Sequence, residues 1–545
     1  MSERHVAGLA VWLVVVALLV LGVASGPSQG RPLHRSAGLI LALALLSAFS
    51  SFWSGSAELS TIEADRVLVY LGMFLAAFLI AQTDERAQRF AEGLTIAVTA
   101  VALLALASRL LPDVLQFANS FESGARLRYP LGYWNADGAM FGIAAGLLLW
   151  LARNSVWTWL RWASIAALPA VLLALYFTFS RGGVLALVVC TGCLLALSAE
   201  RLWHLGALAI GAIAVLPAIL AAQSRPELTD NTPVQATVDQ GVTVLLILLA
   251  GIGLALLLFA ALRRLQKQPG ARTERALQLS RDRRLLRGLA LAGAVLAIGA
   301  AVALGGRAWS EFSSPDIQFP SDPAQHFSNL SGAGRHDFFS VAIESFGDEP
   351  LYGSGAGTYQ FAWERYRSLE QPVHDAHSLY LEAFAELGLV GGLLVLAMVG
   401  TLLWAGFAAW RGAAGRQRDL HAALLAAMLA FAVGAGLDWF WEIAVLGAVF
   451  FLAAGVAVAA RCRQLARGAS GGGTTVDDGG RFRLTVAGLA LAWLSAVALI
   501  GPLLVEREVG ASRDATAAGE IAAAVQHAET ARSIEPWAAS PYVGR

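Results

Sequence analysis

Charge is what this chain has least of. Asp, Glu, Lys and Arg make up only 14% of its 545 residues, against 57% hydrophobic residues and a mean hydropathy of +0.61. So little polar surface cannot wrap a soluble core of this size, and the bilayer has to act as its solvent. Nor is there an excess of either sign. Lys plus Arg and Asp plus Glu number 39 each, a balance that argues against a nucleic-acid partner. Cysteine is nearly absent. Cys190 and Cys193 have CxxC spacing but lie in the apolar run 184–197 with no second pair or histidine nearby, and Cys462 stands alone. Helix packing is the better reading than metal or redox chemistry. No cleavable leader is expected: the first apolar run is followed by many others, and Ser25-Gly26-Pro27 is a poor cleavage context. That run is kept as a span.

What is present, almost from end to end, is apolar sequence long enough to cross a membrane. A stretch of roughly 18 to 20 such residues spans as a helix, because lipid offers the backbone no other hydrogen-bond partner. The expected fold is all-α, a polytopic transmembrane helix bundle of about 12–14 spans with a large, partly helical outer loop. Spans are expected near residues 6–24, 37–53, 66–82, 93–111, 137–152, 162–179, 182–199, 203–222, 241–262, 288–304, 386–409, 420–437, 443–460 and 484–504. The arginine-rich linker 263–287 should be cytoplasmic by the positive-inside rule. Counting outward from it puts Arg31 and Arg35, Arg86 and Arg89, Arg153 and Arg161, Arg411 to Arg418 and Arg461 to Arg483 on the same side. The acidic or neutral loops 54–65, 111–135, 223–240 and 305–385 then face outward, as do both termini. Four regions follow: 1–304, an N-terminal transmembrane bundle; 305–385, the large outer loop; 386–505, C-terminal transmembrane helices; and 506–545, an outer helical tail. Gly468 to Gly480 reads as a flexible linker. In the tail, Ala524, Ala528 and Ala531 followed by Pro536 resemble half of a tetratricopeptide repeat. A single repeat cannot bury its own face, so the tail either docks on the membrane domain or belongs to a longer array; the second is slightly favoured, and a protein partner for the tail is conceivable.

The outer loop is too long to be a mere connection. It holds Gly334-Arg335-His336-Asp337, the apolar-patterned 338–346, the glycine-rich Pro350 to Gly357, and His374-Asp375-Ala376-His377-Ser378. A helix is expected after Arg335, a turn near Gly353 to Gly357, and a helix entered near Ser378 with His377 at its mouth. The glycine turn matches neither a Walker pattern nor a dinucleotide fingerprint, so backbone bending is preferred to phosphate binding. His374 and His377 could share a metal, but no third ligand is evident. A His acting as general base fits better, since an ordinary imidazole titrates near pH ~6.5; a loop His with a structural hydrogen bond is the plain alternative.

The second candidate is Thr178-Phe179-Ser180-Arg181-Gly182-Gly183, between two spans at the outer boundary. The positive-inside rule does not explain Arg181. Either it snorkels to outer headgroups or its planar guanidinium binds phosphate. Arg335, Arg126 and Arg128 add outward cations, the last two beside Tyr129-Pro130-Leu131-Gly132-Tyr133-Trp134-Asn135. Several outward arginines around one His point to a phosphate-bearing substrate. Tyr133 and Trp134 could stack on a sugar face or simply belong to the interfacial belt. Asp438 and Glu442, flanking Trp439 to Trp441, read as acidic rim residues, and Glu58, Glu63 and Asp65 are the acids available to a metal-dependent scheme.

Taken together and in this order, Gly132-Tyr133-Trp134-Asn135, Ser180-Arg181-Gly182, Gly334-Arg335 with Pro350 and Gly353 to Gly357, and His377-Ser378-Leu379-Tyr380-Leu381 with Glu386 and Gly388 resemble the O-antigen ligase and polymerase superfamily of bacterial membrane glycosyltransferases. The resemblance covers roughly residues 125–410. It implies transfer of a glycan from an undecaprenyl-pyrophosphate donor to a hydroxyl on a glycan, lipid or protein acceptor, at the outer face of the bacterial cytoplasmic membrane, with neither metal nor other cofactor. Arg181 and Arg335 match the family's pyrophosphate-holding arginines, and His377 matches its base. Arg126, Arg128, Tyr133, Trp134, Asn135, Tyr352 and His374 are the expected substrate-binding residues. A span count of about fourteen exceeds the expected family core, and the tail is an accessory of only some members. A polytopic transporter of a small solute or glycolipid is the alternative; it would show inverted repeats and midplane charges, and neither is visible.

Overall fold

The computed structural model describes residues 2–22, 30–114, 125–231, 235–267, 305–306, 309–313, 331–469 and 478–543. They are helical, with no strand among them. The first half of the chain holds α1 (Ser2–Val20), α2 (Arg31–Ser50), α3 (Ala57–Ile80), α4 (Asp84–Leu110), α5 (Trp134–Asn154), α6 (Thr158–Phe177), α7 (Arg181–Leu197), α8 (Arg201–Gln223), the short α9 (Pro226–Asp230) and α10 (Gln235–Lys267). The second half holds α11 (Arg335–Asp348), α12 (Tyr359–Tyr366), α13 (Leu379–Arg411), α14 (Gly415–Ala435), α15 (Ala444–Ala469), α16 (Asp478–Ala517), α17 (Ile521–Ile534) and α18 (Ser540–Val543). Ten of these are long and apolar enough to cross a membrane, which makes the protein a multi-pass membrane helix bundle. Each expected span falls on one of the helices except 288–304, which lies outside the described residues, as does most of the expected linker at 468–480.

The helices form two compact units, each built from separated stretches of chain. Residues 91–336 and 413–443 make one of them, with α5 at its centre against α6, α7 and α14, and α8 against α6 and α10. The α5 surface explains its place. Gly138 and Gly142 meet the α7 backbone so closely that a Cβ on Gly183 would lie 2.7 Å from the Gly138 Cα, and one on Gly146 would touch Cys190 Sγ at 2.5 Å. Small residues four apart let two backbones approach and stack their dipoles and van der Waals surfaces, which is how apolar helices associate in lipid. Cys190 is therefore a packing residue, donating only a weak sulfur hydrogen bond to the Ile143 carbonyl.

The other unit comprises residues 1–90, 337–412 and 444–545. Here α3 packs on α1, α2 and α15, α13 on α2 and α15, and α16 on α1. The outer-loop residues of this unit have a core of their own: Phe338, Val341, Ala342, Tyr359, Trp363, Val373, Ala376 and Ala385 are all buried together. Helix α13 is not one straight rod. Gly388 takes φ 61°, ψ −160°, so residues 379–387 are a separate helical piece that belongs to the loop, and the apolar span starts after it. In the tail, α17 folds back along α16, burying Ala524, Ala528 and Ala531; Ala531 closes on Val505 and Val509. The alanine face is thus buried against the chain's own preceding helix.

Candidate functional site

One set of side chains gathers where α5 and α7 begin and α14 ends. Phe179 has φ 46° and is followed at once by Ser180, whose hydroxyl caps α7 by accepting the Gly183 N–H at 3.0 Å. That cap starts the helix at Arg181, so the arginine emerges at its first residue. The same hydroxyl donates to Asn135 Oδ1 at 2.7 Å, and Asn135 Nδ2 donates to the Tyr133 hydroxyl at 2.7 Å and to Asp438 Oδ2 at 2.8 Å. Asp438, 3% exposed, is the hub. It also accepts from the Tyr133 hydroxyl at 2.8 Å, from its neighbour's amide on Trp439 at 3.0 Å, and from Arg335 at 2.7 Å. Arg335 is further fixed by donation from Nε to the Leu437 carbonyl at 2.8 Å, and Arg181 donates to the Ser331 carbonyl at 2.9 Å. The Arg126 guanidinium lies over the Trp134 ring, 5.0 Å from its centroid, and Tyr133 stacks at 4.6 Å on Trp439.

The electrostatics of this cluster are cationic. Arg126, Arg181 and Arg335 are near enough to repel one another, and Asp438 is the acid bonded among them. Burial pushes Arg126 down to about 10; Tyr133 opposes that push while Arg181 and Arg335 add to it, and the group is still a cation at neutral pH. Burial also works against the Arg335 charge, but Asp438 and Tyr133 outweigh it and hold the guanidinium above its usual range. Burial first, then Asp438, lift the Tyr133 phenol well above its ordinary value, so it serves as a hydrogen-bond donor. Two of the three guanidinium groups are oriented by carbonyls and the third lies over an indole.

The second set lies in the unit made of residues 1–90, 337–412 and 444–545. His377 has φ 54° and precedes Ser378, the cap of α13, so its backbone repeats the left-handed residue and capping serine seen at Phe179-Ser180. Holding a non-glycine residue there costs energy, and surrounding contacts over-determine it. Glu382 Oε2 accepts the Ala376 N–H at 2.8 Å, and the Phe338 ring covers the imidazole at 4.7 Å. His377 Nδ1 is 3.1 Å from the Asp375 carbonyl oxygen. A carbonyl only accepts, so in the neutral ring Nδ1 carries the proton and the lone pair resides on Nε2, the state a general base needs.

The glycine-rich turn supports this histidine from behind. Gly353 (φ 68°) and Gly388 (φ 61°) each lie where a Cβ would run into the opposite backbone, and Gly355 donates to the Glu386 carbonyl at 2.7 Å. The Glu386 carboxylate accepts from Gly357 N–H at 2.7 Å and Tyr359 N–H at 2.8 Å. The cradle of amides therefore holds the chain's own carboxyl group, and backbone bending is the role of these glycines. Tyr359, fully buried, passes the support on by donating to the Phe338 carbonyl at 2.9 Å.

The expected residues thus separate. Arg126, Tyr133, Trp134, Asn135, Arg181 and Arg335 come together; Arg128 sits half-buried in the same turn, its carbonyl accepting the Gly132 N–H at 2.6 Å. His377 has its own scaffold. His374 is exposed and pairs through Nδ1 with Gln360 at 2.9 Å, and Tyr352, 61% exposed, packs edge-on against Trp53. Neither is built into the two clusters. Sequence reasoning passed over Asp438 as a rim acid, and it did not single out Glu382 or assign Glu386 a structural partner.

A multi-pass helical membrane protein carrying a half-buried cationic cluster and a histidine whose Nδ1 faces a carbonyl is the class that fold and side chains define. Within it, residues 240–396 match the family model for O-antigen ligase, a stretch that includes Arg335, His377 and Glu386. The resemblance to the O-antigen ligase and polymerase superfamily is thereby supported, and with it a glycosyltransferase-type role at a membrane. Comparison with curated proteins finds no match.

Proposed function

We propose that the protein transfers a glycan from a polyprenyl-pyrophosphate donor, undecaprenyl pyrophosphate in a bacterium, to an acceptor hydroxyl on the outer side of the cytoplasmic membrane, without a metal. The observation that carries this reading is the gathering of Arg126, Arg181 and Arg335 around one carboxylate in an aromatic-lined cluster at helix ends. A pyrophosphate leaving group needs that excess of oriented positive charge, and the bilayer accommodates the polyprenyl tail. In the reaction the acceptor oxygen bonds to the anomeric carbon of the glycan while the bond from that carbon to the pyrophosphate oxygen breaks. The electron pair leaves with the pyrophosphate, where the arginines neutralise it, and the acceptor proton passes to Nε2 of His377. Tyr133, Trp134 and Asn135 line the sugar side; His374 and Tyr352 are proposed to contact the more distant glycan.

The test is glycan transfer from a polyprenyl-pyrophosphate donor in proteoliposomes, comparing wild type with Arg181→Ala, Arg335→Ala and His377→Ala, each with and without chelator. Undiminished wild-type transfer in chelator, with at least 100-fold loss in each folded variant, is expected. Normal transfer by the variants sinks the assignment of residues, and solute flux without transfer sinks the assignment of class.

A further inference from the structure

The far end of the α5 unit carries a second gathering of arginines, one that the transfer reaction does not use. Arg153 is in the last turn of α5, Arg161 in the first turn of α6, Arg263 near the end of α10, and Arg416 in the first turn of α14. Helix α5 is 21 residues long, about 30 Å at the usual rise, so this cluster lies a membrane thickness away from Asn135 at the other end of the same helix. Arg153, Arg263 and Arg416 all come near enough to Arg161 to repel its charge, and Glu92 is the acid that opposes them there.

Three of these guanidinium groups are held in place, and Arg416 is exposed. Arg161 Nε donates to the Ser155 carbonyl at 2.7 Å. Arg263 lies 5.8 Å from the centroid of the Trp162 ring and 6.0 Å from that of Phe259, and Arg153 lies 5.9 Å from that of Trp203. The nearby acids are committed: Glu200 pairs with Arg153 at 3.2 Å, Asp419 accepts from Ser198 at 2.8 Å, and Glu92, 4% exposed, faces the Val156 amide at 3.4 Å. Arg263 and Arg416 have no carboxylate partner among the described residues. Beside them Val156, Trp157 and Trp159 are 41%, 46% and 63% exposed. Placement of positive charge at one end of a bundle needs only loops; bringing it from four helices to one spot, against mutual repulsion, needs an anion to offset it. A rim of tryptophans at helix ends is the level of lipid headgroups.

We propose that Arg161, Arg263 and Arg416, with Arg153 behind them, form a binding site for the phosphate of an anionic phospholipid in the leaflet at that end, its acyl chains lying along Trp157 and Trp159. Basic pockets between transmembrane helices take such headgroups, and each arginine contributes roughly fivefold in affinity. The site is independent of the transfer reaction, so its test needs no turnover.

Purified full-length protein in neutral detergent is titrated by native mass spectrometry with phosphatidylglycerol and, separately, with phosphatidylcholine of the same chains. Preferential retention of phosphatidylglycerol is expected, falling about 100-fold in Arg161→Gln/Arg263→Gln/Arg416→Gln and about fivefold in the single exposed change Arg416→Gln. The single change keeps the test valid if the triple variant misfolds. Equal retention of both lipids, or an unchanged preference in folded Arg416→Gln and triple variants, overturns the proposal. Displacement of the lipid by millimolar inorganic phosphate alone overturns it in favour of a soluble anion.

Discussion

Replacing Asp438 by asparagine tests whether the cationic cluster is an organised receptor or only a collection of charges. Four donors meet this carboxylate: the Tyr133 hydroxyl, the Trp439 amide, Asn135 Nδ2 and Arg335. Asparagine keeps one oxygen and turns the other into a donor, so Arg335 and Asn135 face an NH2 group. Losing a hydrogen bond to a charged group costs about 1.5 to 3 kcal/mol, and a donor facing a donor adds about 1 kcal/mol. A loss of about 2.5 to 4 kcal/mol in transition-state stabilisation corresponds to roughly 70-fold to 900-fold in rate. Asp438→Asn removes a negative charge from a site meant for pyrophosphate, so a site that works by charge alone would bind donor more tightly and turn over no slower. The assay is initial-rate transfer in proteoliposomes, with folding checked by thermal unfolding of each variant. Because Asp438 acts through Arg335, the double variant Arg335→Ala/Asp438→Asn should be no slower than Arg335→Ala alone. Transfer by Asp438→Asn within threefold of wild type, or single losses that multiply in the double variant, would refute the positioning role.

Three further outcomes follow from the packing. Glu386→Gln leaves one amide of the glycine turn facing a donor, at a cost of about 1 to 3 kcal/mol; faster hydrogen exchange at 353–359 and slower transfer are expected, and unchanged exchange there counts against the clamp. Gly183→Val puts side-chain carbon against the Gly138 backbone, and overpacking of that kind costs about 1 to 3 kcal/mol; a lower unfolding temperature is expected, and an unchanged one would mean that α5 and α7 do not approach as described. Burial, with Asp65 and Glu58 adding, raises Glu535 to about 7 from the ordinary carboxyl value of 4.5. The docked tail therefore holds a proton that the undocked tail releases, so docking is strongest below about pH 4.5 and weakens as pH rises through about 7. Proteolysis of residues 521–543 should be slower at pH 5.5 than at pH 8.5, with the difference abolished in Glu535→Gln; equal rates in wild type would contradict it.

Much of the fold was legible because lipid imposes one rule on every span. Apolar runs of sufficient length predicted α1 to α8, α10 and α13 to α16 but not the short α9 and α12, and Ser378 marked where α13 starts, since a capping hydroxyl is a local signal. Arg335 at the head of α11 and His377 before α13 were readable for the same reason. Asp438 was not. Its importance lies in Tyr133 and Asn135, some three hundred residues away in the chain, and no local pattern separates a hub carboxylate from a rim acid. Glu386 was hidden differently: its partners, Gly357 and Tyr359, were read as a turn of their own, and a glycine-rich turn with an acid folded into it has the same spacing as one awaiting a phosphate. The tail shows the limit of periodicity: Ala524, Ala528 and Ala531 predict a buried face, but its partner, Val505 and Val509 on α16, is part of a helix that composition assigns to the membrane. What unites the three cases is that a polar or small residue in an apolar run carries meaning only through its partner. In a chain this poor in charge each such residue is therefore worth testing as a site, and Asp438 and Glu386 are the two whose partners are already in place.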